Sequence, residues 1–141
     1  MSTAFLFPGQ GSQFVGMGHD LYKAFPEARA VFDLADRVLD IEIKTFCFDG
    51  PEDSLKQTAI TQPAIFTHSM AAFEALKSRG HHPHIVAGHS VGELAALVAA
   101  GVISLEDGFR VVCVRGQAMQ IAGKARQGTM AAIIGLDDDV I

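Results

Sequence analysis

A serine between two glycines, set where a strand gives way to a helix, is the feature that most constrains this fold. The segment His84-Ile85-Val86-Ala87 is predicted as a short strand, and Val91 to Ala100 as a helix that is apolar almost all round and hence buried. Between them stands Gly88-His89-Ser90-Val91-Gly92, a GxSxG pattern typical of a nucleophile elbow. In an elbow the helix N-terminus points free N–H groups at developing negative charge. The pattern therefore predicts Ser90 as a nucleophile and the N–H of Val91 as an oxyanion donor.

Two other interpretations of this segment are open. Ser90 and Glu93 also fit a capping box, in which the serine merely closes the helix start, although the two glycines exceed what a cap requires. His89 adjoins the serine, but neighbouring side chains diverge in an elbow, so we interpret it as a supporting polar residue rather than a base. The remaining histidines have no paired acids and are expected to be ordinary exposed residues: His19, His68, His81, His82 and His84.

The rest of the chain alternates strands and helices, which indicates an α/β fold with a parallel sheet and helices on both faces. Region 41–57 is predicted as loop with short helical turns. A buried strand is expected at 3–7, followed by a helix around Leu21 to Phe25 and a second helix opened by Pro26. The next helix is expected to begin at Thr61, with Pro63 in its first turn, and to stop at Gly80. A helix capped by Ser104 and Asp107 should end near Lys124, and a strand should run from Thr129 to Leu136.

A glycine-rich loop follows the first strand, in residues 7–13. It resembles a phosphate cradle, but the spacing of its residues matches neither the dinucleotide-binding fingerprint nor the P-loop motif. Such a turn can instead present a backbone N–H beside the elbow as a second oxyanion donor. Gln10 is the candidate, and a plain turn is the alternative.

Arg115 is the third informative residue. On the helix from Ser104, positions 108, 111, 112, 115, 119 and 122 share a face whose other members are Gly, Val, Val, Met and Ala. A guanidinium on an apolar stripe is costly unless it is paired. An internal salt bridge to Glu93 and a bidentate clamp for a substrate carboxylate both satisfy this requirement, and periodicity does not choose between them.

Composition narrows the class of partner. Sixteen acidic against eleven basic residues give a formal charge of −5, which argues against nucleic acid or an anionic membrane as a partner. Cys47 and Cys113 are isolated and are expected to be reduced, buried thiols, which favours a cytoplasmic location. The most apolar stretch, 94–105, is too short to span a bilayer, and a signal peptide is not expected, because no basic segment precedes the apolar residues Ala4 to Phe7.

Four segments in order along nearly the whole chain closely resemble malonyl-CoA:acyl-carrier-protein transacylases: 7–13, 61–64, 88–93 and the helix carrying Arg115-Gly116. The resemblance implies an α/β-hydrolase-like core over 1–127 and, over 128–141, the first strand of a ferredoxin-like small subdomain. It implies Ser90 as the acylated nucleophile, the N–H groups of Gln10 and Val91 as the oxyanion hole, and Arg115 as the group that holds the malonyl carboxylate. His89, Gln62 and Met119 are candidate supporting residues.

The same resemblance implies ping-pong transfer of malonyl from coenzyme A to acyl carrier protein in fatty acid or polyketide biosynthesis, with no metal or redox cofactor. In that family the catalytic histidine comes far downstream. We therefore expect that this chain is an N-terminal part, inactive alone, whose missing half could also come from a second chain. A serine hydrolase or esterase on neutral esters, and a catalytically incomplete non-enzymatic fragment, are the alternatives.

Overall fold

Two parallel strands form the sheet that positions the GxSxG turn. The computed structural model describes residues 2–125, 128 and 133–141. Strand β1 (Ala4–Phe7) pairs with β2 (Ile85–Gly88), and the register places Phe7 opposite Gly88. Both strands therefore end at the same edge of the sheet.

Helices make up most of the remaining described chain and confirm an α/β, helix-rich fold with a small parallel sheet. Region 41–57 is loop with two short helices, as predicted. The helices are α1 (His19–Ala24), α2 (Pro26–Leu39), α3 (Ile43–Phe48), α4 (Glu52–Leu55), α5 (Thr58–Lys77), α6 (Gly92–Ala99) and α7 (Leu105–Ala125), with a 3₁₀ turn at Asp138–Val140.

The predicted helix starts are confirmed at two places and shifted at a third. Pro26 is the first residue of α2, and the Ser104 hydroxyl accepts a hydrogen bond from the N–H of Asp107 at 3.1 Å, which caps α7. Helix α5 begins at Thr58 rather than at Thr61, so Pro63 lies inside the helix. The buried hydroxyl of Thr67 donates to the carbonyl of Pro63 at 2.7 Å in the next turn.

Helix α5 forms the centre of the core. Phe5 and Phe7 of β1 both meet Phe73 of α5 edge to face, at ring-centroid distances of 6.2 and 6.3 Å. Phe66 of α5 meets Phe109 of α7 in the same way at 5.1 Å. The predicted role of this helix as the cover of the sheet is thus confirmed.

The expectation of a buried first strand with helices on both faces is not met within the described residues. Leu6 is 77% exposed and Ile85 64% exposed. Successive side chains of a strand point to opposite faces. Phe5 and Phe7 therefore pack on α5 while Leu6 faces away from it.

Two glycines let α7 approach α5 closely. A β carbon at Gly108 would lie 2.6 Å from the Phe66 ring, and one at Gly116 would lie 3.1 Å from the carbonyl oxygen of Thr58. The predicted apolar stripe of α7 is wrong in part, because the face that packs on α5 is centred on these glycines. Its buried residues are Gly108, Phe109, Val112 and Gly116, whereas Val111 is 46% exposed.

Residues 129–132 of the predicted last strand lie outside the described residues, and residues 133–136 are not in a strand. The hydrolase-like core, the ferredoxin-like insert and the division into 1–127 and 128–141 stay predictions. Among the helices that the structure describes, none is long and apolar enough to cross a membrane.

Candidate active site

Ser90 lies in a strained turn between β2 and α6. Its φ is +53°, a left-handed conformation that is uncommon for a residue other than glycine and costs on the order of 1–3 kcal/mol. The residue is exposed. The structure thus has the strand, strained turn and helix that the sequence pattern predicts.

The two flanking glycines are required by close backbone contacts. A β carbon at Gly88 would lie 2.1 Å from the carbonyl carbon of Gly92, and one at Gly92 would lie 2.2 Å from the carbonyl oxygen of Phe7. Larger residues would push α6 away from the end of β1. The sequence expectation that small residues admit neighbouring chain is confirmed at both positions.

The capping alternative for Ser90 is not what the structure shows. The N-cap of α6 is Val91, and no side chain of a described residue caps this helix. Glu93 donates its N–H to the backbone carbonyl of Ser90 at 3.1 Å. The Ser90 hydroxyl instead accepts a hydrogen bond from a guanidinium, which leaves the hydroxyl facing the site.

The loop after β1 lies against the elbow. Gln10 and Val91 each follow the paired residues Phe7 and Gly88 at the same distance along the chain, so both stand beyond the same edge of the sheet. A β carbon at Gly9 would lie 2.8 Å from the carbonyl oxygen of His89. Neither the N–H of Gln10 nor that of Val91 donates a hydrogen bond to any described residue.

His89 turns toward this loop. A β carbon at Gly9 would lie 2.6 Å from Nδ1 of His89, and the His89 N–H donates to the Phe7 carbonyl at 3.0 Å. No hydrogen bond joins the His89 ring to Ser90 in the part of the chain that the structure describes. The geometry agrees with a supporting residue and does not favour the base alternative.

Arg115 of α7 reaches the serine. Its Nη2 donates to the Ser90 hydroxyl at 3.2 Å, and its Nη1 donates to Oε1 of Gln62 at 2.6 Å. Among the described residues it forms no ion pair with Glu93 or any other carboxylate. The internal salt bridge considered from the sequence is therefore absent there, and the guanidinium keeps a net positive charge beside the serine.

Gln62 and Met119 continue this network. Gln62 is only 1% exposed on α5, and its Nε2 contacts the Met119 sulfur at 3.2 Å. Met119 itself is 38% exposed. Gln62 on α5 and Arg115 and Met119 on α7 are thus brought together on one side of Ser90.

Two contacts at this site were not anticipated from the sequence. The Gln10 side chain donates to the hydroxyl of Thr58 at 3.4 Å, and the N–H of Ala59 donates to Oε1 of Gln120 at 2.8 Å. Both tie the start of α5 to neighbouring elements. No periodicity marks them, because each joins segments far apart in sequence.

Other titratable side chains have pKa values shifted by burial. Burial lowers the pKa of His68, against a weaker opposing effect of Asp20, so this histidine is not the ordinary exposed residue that was predicted. Burial raises the pKa of the Cys47 thiol to about 12, so it is an unreactive core residue, as expected. Cys113 is half-buried.

Within the described residues, no group of three His, Cys, Asp or Glu could hold a metal ion.

A strained serine between a strand and a helix is the geometry of a nucleophile elbow, which acyl-transfer enzymes use. Residues 4–139 match the acyl transferase domain family, and the chain belongs to that family. The expected resemblance to malonyl-CoA:acyl-carrier-protein transacylases is confirmed by curated relatives.

The malonyl CoA-acyl carrier protein transacylase of Bacillus subtilis is 46% identical over 138 residues, which are 98% of this chain and 44% of the relative. The crystal structure of an acyl-carrier-protein-S-malonyltransferase from Bartonella henselae superposes with a TM-score of 0.88 and 41% identity, over 99% of this chain and 46% of that one. A malonyl-transacylase in complex with its type II PKS acyl-carrier protein gives a TM-score of 0.82 and 42% identity, over 86% of this chain and 40% of that one. The chain therefore spans less than half the length of these relatives.

Proposed function

We propose that this chain carries the nucleophile and the acyl-binding arginine of an enzyme that transfers malonyl from coenzyme A to acyl carrier protein in fatty acid or polyketide synthesis. The observation that carries the proposal is the 3.2 Å contact between Nη2 of Arg115 and the hydroxyl of Ser90. Membership of the acyl transferase family and the names of its relatives support the reaction class and the substrates.

In the first half-reaction the Ser90 oxygen attacks the thioester carbon while a general base takes its proton. The carbonyl oxygen becomes an oxyanion, for which the unused N–H groups of Gln10 and Val91 are the proposed donors. The C–S bond breaks, coenzyme A leaves with the proton that the base returns, and a malonyl-serine ester remains. In the second half-reaction the phosphopantetheine thiol of acyl carrier protein attacks the ester carbon as the base takes its proton, the C–O bond to Ser90 breaks, and the serine oxygen receives the proton from the base, leaving malonyl as a thioester on the carrier protein.

The base is proposed to be a histidine outside these 141 residues, in a later segment or on a second chain. Among the described residues, no histidine side chain hydrogen-bonds to Ser90. Base and nucleophile act as a unit, so residues 1–141 alone are proposed to have little transferase activity. A cytoplasmic location stays a prediction.

Arg115 is proposed to bind the free carboxylate of the malonyl group. Its charge is not neutralised by a described carboxylate, and the planar fork of a guanidinium matches a carboxylate with two hydrogen bonds. A hydrolase that acts on neutral esters has no use for such a charge beside its nucleophile. This contact favours the transferase over the hydrolase alternative.

The experiment is to incubate the protein at its natural full length with malonyl-CoA and to measure its intact mass. The unsubstituted protein should gain one malonyl group, and Ser90→Ala should gain none while keeping its melting temperature. Ser78→Ala, at the far end of α5, is the matched control and should be acylated normally. An adduct on Ser90→Ala would place the nucleophile elsewhere and refute the proposal.

A further inference from the structure

The amide of Gln62 is held in one orientation by two part-buried contacts. Arginine has only donors, so the amide oxygen must face Arg115, where it accepts from Nη1 at 2.6 Å. The amide nitrogen then faces the Met119 sulfur, a weak acceptor, at 3.2 Å. Rotating the amide by half a turn would set donor against donor in a residue that is 1% exposed.

The partner that α5 offers to Arg115 is neutral, unlike the partners of several other cations. Lys44, Lys56 and Arg110 each contact a carboxylate on a neighbouring side chain. A carboxylate at position 62 would neutralise the guanidinium and occupy the fork that a substrate carboxylate needs. An amide anchors one nitrogen of the guanidinium and leaves its charge in place.

We propose that Gln62 is a positioning residue for acyl selectivity: it fixes one nitrogen of Arg115, aims the other at the acyl site on Ser90, and keeps the positive charge free for an acidic acyl group. This inference rests on the proposed role of Arg115. The preference for acidic over neutral acyl thioesters is then set by two properties of Gln62. Its side chain is uncharged, and its amide is anchored by Met119.

Gln62→Glu is the sharpest test, because it keeps the shape of the side chain and adds only a charge. The new carboxylate should form an internal ion pair with Arg115 and displace the substrate carboxylate. We expect the ratio of malonyl to acetyl transfer to fall by on the order of 100-fold, the size of effect seen when a buried charge pair loses its partner. The ratio is the readout because an acetyl group has no carboxylate to be displaced.

Gln62→Met is the matched variant that removes the acceptor without adding a charge. Arg115 then loses its anchor but keeps its charge, so the ratio should fall by less, on the order of tenfold, the equivalent of one neutral-acceptor hydrogen bond to a charged group. Met119→Leu leaves Gln62 in place and removes only the sulfur. The freed amide should lower the ratio a few-fold.

The assay measures malonyl and acetyl transfer rates for each full-length variant, together with its melting temperature, with Arg115→Ala as reference. A ratio unchanged by Gln62→Glu, or lowered more by Gln62→Met than by Gln62→Glu, overturns the inference. If the buried carboxylate prevents folding, Met119→Leu decides, and an unchanged ratio there overturns it. If Arg115→Ala itself leaves the ratio unchanged, the proposed role of Arg115 fails instead, so the two failures are distinguishable.

Discussion

Replacing Arg115 by alanine should change the choice of acyl group more than the rate for a neutral one. In the structure the guanidinium donates to the Ser90 hydroxyl at 3.2 Å, so the carboxylate of a malonyl group on that oxygen lies within reach of the same fork. A neutral acetyl group makes no such contact. The ratio of malonyl to acetyl transfer therefore reports on the contact between Arg115 and the acyl carboxylate.

The expected size follows from the charges. Two unit charges about 4 Å apart attract by about 4 kcal/mol at an effective dielectric constant near 20. Arg115 is half-buried and keeps part of its hydration, so we expect about 2–3 kcal/mol to survive, or a fall in the ratio of roughly 30- to 150-fold. Arg115→Lys should recover only part of it, because an ammonium cannot reproduce the two-pronged contact.

The assay is a comparison of steady-state malonyl and acetyl transfer by full-length protein, with melting temperature measured alongside. Some loss of stability is expected for Arg115→Ala, because Oε1 of buried Gln62 loses its donor at a cost of about 1–3 kcal/mol. Arg110→Ala is the control, since it removes a cation from the same helix at a position that is 59% exposed and paired only with Glu106 and Asp107. An unchanged ratio for Arg115→Ala, or an equal shift for Arg110→Ala, would refute the carboxylate-binding role.

Two further predictions concern the framework of the site. Gly92→Ala should lower the free energy of unfolding by roughly 1–3 kcal/mol in denaturant titration, because the added β carbon would lie 2.2 Å from the Phe7 carbonyl oxygen. Gly123→Ala is the control and should be neutral or stabilising, since its added β carbon would meet nothing within 4 Å. Equal effects of the two substitutions would contradict the close-packing account. Ser104→Ala should cost about 1 kcal/mol by the same measurement through loss of the α7 cap, while Ser54→Ala in α4 should cost less, and the absence of a difference between them would rule out the cap.

The local features of the site could be predicted from the sequence because each depends on a few adjacent residues. The turn at Ser90 needs small neighbours and a strand-to-helix change, and both are visible in 88–92. The cap of α7 needs only Ser104 and Asp107. Such signals are contained within one turn of chain, so they survive whatever packs around them.

Two features could not be predicted in the same way: which elements cover the faces of the strands, and which face of α7 is buried. An apolar run indicates a strand but not which elements cover its two faces, and Leu6 and Phe7 look alike in sequence. Helical periodicity groups positions on α7 but does not give the rotation of the helix about its axis. The observed rotation places Gly116 close to the carbonyl of Thr58, in a segment far away in the sequence.

This contact also explains why the partner of Arg115 was not foreseen. The sequence left Glu93 as an available partner. Gly116 instead lies against the start of α5, where an added β carbon would be 3.1 Å from the carbonyl oxygen of Thr58, and the neighbouring Arg115 donates to Gln62. Because the partner is an amide, the charge beside Ser90 remains uncompensated within the described residues, and that charge is the property on which the proposed selectivity for an acidic acyl group depends.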